Sequence, residues 1–114
     1  MDRHEAPPLS LDEIKRWCRR FLHDPEFRDN IGTRTVPIAA LCRYAGIARQ
    51  NLYAMQRGEQ PLTPNYQRRL SAAIFDVQGG LRFRRVKRKY EIVGPFRRLP
   101  RARRVWEPIR EAHP

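Results

Sequence analysis

The sequence has no apolar run long enough to span a bilayer, only two cysteines and only three histidines. Each shortage removes a class of protein. Without about twenty consecutive apolar residues no membrane helix is expected, and the opening MDRHEAPPLSLDE is too acidic and polar for a secretory leader. Cys18 and Cys42 each fall on the apolar face of an expected helix, so they read as buried thiols in a reducing cytoplasm, not as a disulfide framework. His4, His23 and His113 lie in expected termini and a loop, with no cysteine or carboxylate at ligand spacing. No metal is therefore expected. A phosphate-cradling glycine loop and a Ser/His/Asp arrangement are missing as well, so neither enzymatic activity nor a cofactor is expected.

Acidic side chains are also scarce: 12 Asp plus Glu face 24 Lys plus Arg, a formal net charge of +12 with pI near 11.1. A stable chain this basic is expected to meet a polyanion. The excess is uneven. Residues 1 to 78 hold 12 basic and 9 acidic side chains, whereas residues 79 to 114 hold 12 basic and 3 acidic. Apolar periodicity shows the opposite bias. The expected organisation is a helical domain over residues 9 to 78 followed by an Arg-rich C-terminal extension over residues 79 to 114.

Order is expected from Leu9. Ser10 and Glu13 form a capping box that opens a helix from Leu11 to about Leu22, with Leu11, Ile14, Trp17, Cys18, Phe21 and Leu22 on one buried face. Lys15, Arg16, Arg19 and Arg20 take the other face, either solvated or laid against phosphates. Asp24 before Pro25 predicts a short second helix to about Asn30 that buries Phe27. Thr63 before Pro64 predicts a helix ending near Val77, with Tyr66, Leu70, Ala73, Ile74 and Val77 inward and Gly79-Gly80 as its stop.

Between these lies PIAALCRYAGIARQNLYAMQR, residues 37 to 57, where the spacing of apolar, small and glycine residues describes a helix-turn-helix. The first helix would begin with Pro37 as its first residue, capped by Thr35 or Val36, and end near Tyr44. Gly46 supplies the positive φ of the corner, and a second helix would run from Ala48 to about Gln56. Leu41, Ala45, Ile47, Leu52 and Met55 would point inward, with Cys42 allowing a close helix crossing. Arg49, Gln50, Asn51, Tyr53 and Arg57 would point outward. Arginine suits the O6/N7 edge of guanine, and Gln and Asn suit the N6/N7 edge of adenine, so this face has the chemistry of a base reader.

From Leu81 the pattern changes. LRFRRVKRKYEIV is rich in β-branched and aromatic residues and reads as extended, with a two-stranded hairpin turning near Lys87 as one form it can take. Leu81 and Phe83 share one parity and Tyr90 and Ile92 the other, which a turn explains and a straight strand does not. Arg82, Arg84, Arg85, Lys87, Arg88 and Lys89 make this segment a candidate phosphate contact. Residues 95 to 114 carry four prolines and six arginines, and an irregular tail is expected.

Residues 37 to 77 resemble the lambda-repressor-like helix-turn-helix family of phage repressors and Cro proteins. The resemblance rests on Gly46 in the turn, Leu41, Ile47 and Leu52 at the apolar motif positions, the Gly58 to Leu62 exit, and the closing TPNYQRRLSAAI. Ile38 stands where the family has a polar brace, and Cys42 where it has a small residue, usually alanine. The resemblance implies an all-α bundle of about five short helices with the second motif helix in the DNA major groove, and Ala48, Arg49, Gln50, Tyr53, Ala54 and Arg57 facing DNA. It implies a cytoplasmic regulator in a bacterial host, binding double-stranded DNA as a homodimer. Two other readings stay open. One is an RNA- or DNA-binding packaging accessory dominated by the Arg-rich arm; the other is a small phage protein that inhibits a host nucleic-acid machine.

Overall fold

The computed structural model describes residues 8–29, 35–86 and 89–94. Among these the chain is mostly helical: α1 (Leu11–His23), α2 (Ile38–Ala45), α3 (Arg49–Gln56) and α4 (Pro64–Gln78) precede a hairpin of β1 (Arg82–Val86) and β2 (Lys89–Val93). The capping box that opens α1 is present in both directions, Ser10 Oγ accepting from Glu13 N and Glu13 Oε1 from Ser10 N. These bonds hold the Glu13 carboxyl below the usual carboxylate range. Thr63 caps α4 in the same way, accepting from Tyr66 N, with Pro64 as the first helical residue.

Four α-helices are present among the described residues rather than about five, because the segment after Asp24 closes only a single 3-10 turn, Pro25–Phe27. Asp24 caps it through Glu26 N, but Arg28 N already bonds back to Pro25 O and Arg28 turns extended. Arg28 then forms an isolated antiparallel bridge with Thr35, and that pairing draws the chain away from a second helical turn. Thr35 is tied to α1 by its hydroxyl, which donates to Leu22 O. Pro37 is the N-cap of α2 rather than its first helical residue, and Ala48 likewise precedes α3.

One core joins all these elements. Ile14, Phe21, Leu41, Leu52, Met55, Leu70 and Ile74 are fully buried, and so are Leu81, Phe83 and Ile92 from the hairpin region. The β1–β2 register sets Phe83 opposite Ile92, which explains the parity change: antiparallel partners facing each other share a face of the sheet. Phe83 also meets Tyr44 edge to face at 6.0 Å. The hydrophobic core thus continues past residue 79. Leu22, expected inside, is 46% exposed; as the twelfth residue of α1 it has rotated past the edge of the buried stripe and lies beside a groove between α1 and α3.

Arginines do structural work in this core. Arg20 lies over the rings of Trp17 and Phe27 and pairs with Asp24 and Glu26. Arg69, nearly buried on α4, donates from Nη1 to Gly46 O at 2.8 Å. The residue before the Ser10 cap is also anchored on α4: Leu9 N donates to Ser71 Oγ and Gln67 Nε2 donates to Leu9 O.

Candidate nucleic-acid interface

The two central helices meet at a corner that a glycine makes possible. Gly46 has φ 76° and ψ 34°, the left-handed region where a side chain is penalised, and its N–H bonds back to Arg43 O. Ile47 N bonds to Cys42 O and its side chain is buried, so the residue after the corner plugs the angle between α2 and α3. Arg69 then holds the Gly46 carbonyl from α4. The corner is braced from three sides before α3 begins.

α3 buries Leu52 and Met55 and turns its opposite face outward. At roughly 100° per residue, Arg49, Gln50, Tyr53 and Arg57 fall within an arc of about 100° on that face. Arg49, Gln50 and Arg57 are exposed, Tyr53 is 40% exposed, and the Ala48 methyl stands exposed at the head of the helix. Asn51 is the exception. It lies about 150° round from the others, half buried, and its Nδ2 donates to the Tyr66 hydroxyl; its amide braces α3 against α4 and is not on the outward face. Arg57 is on the face but carries a fork-to-fork pair with Glu59, Nε and Nη2 donating at 2.8 and 2.9 Å. The pair raises the Arg57 pKa and lowers that of Glu59.

The hairpin arginines divide similarly. Arg82 is directed into the protein: Nη1 donates to Val77 O and Leu81 O, Nη2 to Glu26 O, and the guanidinium lies over the Phe27 ring. Burial lowers its pKa, opposed by the Glu26 carboxylate. It therefore caps the end of α4 and pins the hairpin to the 3-10 turn, and its donors are spent on carbonyls rather than offered to phosphate. Arg84 forms an ion pair with its cross-strand partner Glu91. Arg85 and Lys89 are exposed. Lys87, Arg88 and the Arg-rich residues 95–114 lie outside the described residues.

A groove between α1 and α3, of about 320 Å³, adds residues that the periodicity of α1 alone placed only on an outer face. Cys18 and Ile38 form its floor, Leu22 and Tyr53 its walls, and Lys15 and Arg19 its charged rim, with Gln56 at the α3 edge. Burial pushes the Cys18 thiol up to about 11, so it stays protonated and puts no negative charge in the floor; the Cys42 thiol, outside the groove, is pushed up to about 12. Further along α1, Arg16, Arg19, Arg20 and His23 converge on a second open depression with Asp24 as its single acid. The link between α1 and α3 was hidden in the sequence, because it joins residues more than thirty positions apart through packing.

Among the described residues no group of three or more His, Cys, Asp or Glu side chains could hold a metal ion, and no helix is long and apolar enough to cross a membrane. Comparison with family models, curated proteins and solved structures returns no match for this chain.

Proposed function

We propose that the protein is a sequence-specific double-stranded DNA-binding regulator in which α2 and α3 act as a helix-turn-helix. In this reading α3 enters the major groove, and Arg49, Gln50 and Tyr53 meet base edges while Ala48 offers a methyl to thymine. One observation carries the proposal: α3 projects a contiguous polar and cationic face from a corner braced by Gly46 and Arg69, in a chain of net charge +12. Arg57 reaches a phosphate or base by exchanging its exposed pair with Glu59, a trade of small cost for a surface ion pair. Arg85, Lys89 and the arginines of residues 95–114 add phosphate contacts that carry no sequence information. The transcriptional role, and pairing as a homodimer over two half-sites, follow from the resemblance to repressor and Cro proteins.

The test is site selection from random duplexes followed by comparison with the Arg49→Ala/Gln50→Ala double variant. The expected outcome is loss of preference for the selected site by about one to two orders of magnitude, with affinity for random duplex nearly unchanged. A double variant that selects the same site would place base reading elsewhere. The arm-dominated reading draws on the charge concentrated after residue 79; it requires that truncation after Gly94, which removes six of the twelve basic residues there, strongly weaken binding to random duplex and single strands alike.

A further inference from the structure

The groove between α1 and α3 combines features that a base-reading helix does not need. Both charged residues that line it, Lys15 and Arg19, are cations, and no carboxylate lines it. Neither cation has an ion pair or hydrogen bond among the described residues, in contrast to Arg20, one position further on, which Asp24 and Glu26 hold. Lys15 and Arg19 are four residues apart, so they lie one above the other about 6 Å apart along α1. Lining the same groove are Leu22 of α1 and Tyr53 of α3, two of the three large apolar side chains most exposed among the described residues. Tyr53 belongs both to this wall and to the outward face of α3.

We propose that this groove seats the sugar-phosphate backbone of the DNA strand next to α3, with Lys15 and Arg19 on successive phosphates and Leu22 and Tyr53 against the sugar edges. The inference rests on the reading of α3 as a duplex reader and names where the strand leaves it. A free phosphate would use the two cations and leave the apolar walls wet; a backbone strand presents anionic oxygens and apolar sugar edges in alternation, and the groove matches both. Because Tyr53 is shared, a strand that borders the α3 face continues into the groove without a gap. The hairpin is a weaker clamp, since Arg82 is directed inward and Arg84 is paired with Glu91.

The experiment uses the full chain and a labelled random-sequence duplex, read by fluorescence anisotropy over a range of salt concentrations. Lys15→Gln/Arg19→Gln is expected to weaken binding about tenfold or more near 0.1 M salt and to reduce the slope of log K against log salt by roughly 2, one counterion per lost contact. The loss should be equal for random and selected duplex. Leu22→Asn, at an exposed position, should weaken binding severalfold with the slope unchanged. Circular dichroism and a melting curve establish that each variant is folded, and Lys15→Ala with Arg19→Ala serves as a second version. If the double variant keeps wild-type affinity and slope, the groove assignment is overturned while the DNA reading stands. Should the wild type bind no duplex at all, the DNA reading falls and the groove assignment falls with it. Polyglutamate bound by the wild type and not by the double variant would then assign the groove to an acidic protein partner instead.

Discussion

Arg69 shows how much a single side chain can contribute when its donor finds a carbonyl inside the protein. It is 8% exposed and its Nη1 bonds the Gly46 carbonyl, so α4 grips the corner from which α3 projects. Arg69→Met keeps much of the apolar stem and removes the charge-assisted bond. The expected cost is about 2 kcal/mol in urea unfolding, with an unchanged denaturant slope; a variant as stable as the wild type would mean that only the stem matters. In the sequence Arg69 is one cation in an amphipathic helix, and such a residue reads as outward because its partner, 23 positions earlier, is invisible to periodicity. Asn51 carries the same lesson in reverse. Its residue type fits adenine, yet its angular position on α3 hands its amide to Tyr66.

At the scale of elements, the hairpin is where local reading and packing diverge most. The run from Leu81 to Val93 is legible as extended from its β-branched and aromatic residues, and its change of parity calls for a turn. Its arginines suggest an arm reaching outward, but Leu81, Phe83 and Ile92 are buried in the same core as the helices. Phe83→Ala is therefore expected to destabilise the whole protein by about 3 kcal/mol or more, seen as one cooperative shift of the unfolding curve by both helical signal and aromatic fluorescence. If only the hairpin melted, with helical stability unchanged, the strands would be an appendage. It follows that a truncation after Gly80 removes core as well as charge, whereas one after Gly94 removes charge and keeps Leu81, Phe83 and Ile92. The short 3-10 turn makes the complementary point: Asp24-Pro25 is a good helix start, but the Arg28–Thr35 bridge claims the backbone after one turn.

At the scale of the whole molecule, the pH response follows from a few carboxylates in a strongly basic chain. Glu13 is held low by Ser10, Asp24 by the Glu26 N–H and Arg20, and Glu59 by Arg57. A depressed folded-state pKa means that the unfolded chain binds protons first as pH falls. The stability from these groups is present above the ordinary carboxylate range and is lost as pH drops through the folded values. Melting temperature is expected to hold steady near neutrality and to decline from about pH 5 downward, with rising positive charge adding self-repulsion. Ser10→Ala should make that decline shallower, because Glu13 then titrates near its ordinary value. A melting temperature independent of pH across that range would show that these contacts persist in the unfolded chain or do not form.

By itself the sequence determined the helix starts, the glycine corner, the buried stripes and the charge imbalance, because each depends on residues within a few positions of one another: Ser10 with Glu13, Thr63 with Pro64, Gly46 with Ile47. Only the tertiary structure decided which polar groups are used up and which remain available. Arg82, Asn51 and Arg69 are committed to partners inside the protein, and Lys15 and Arg19 are brought beside Tyr53. Those outcomes depend on packing between segments distant in the chain, where a carbonyl or a hydroxyl within hydrogen-bond reach decides whether a side chain faces the protein or its partner.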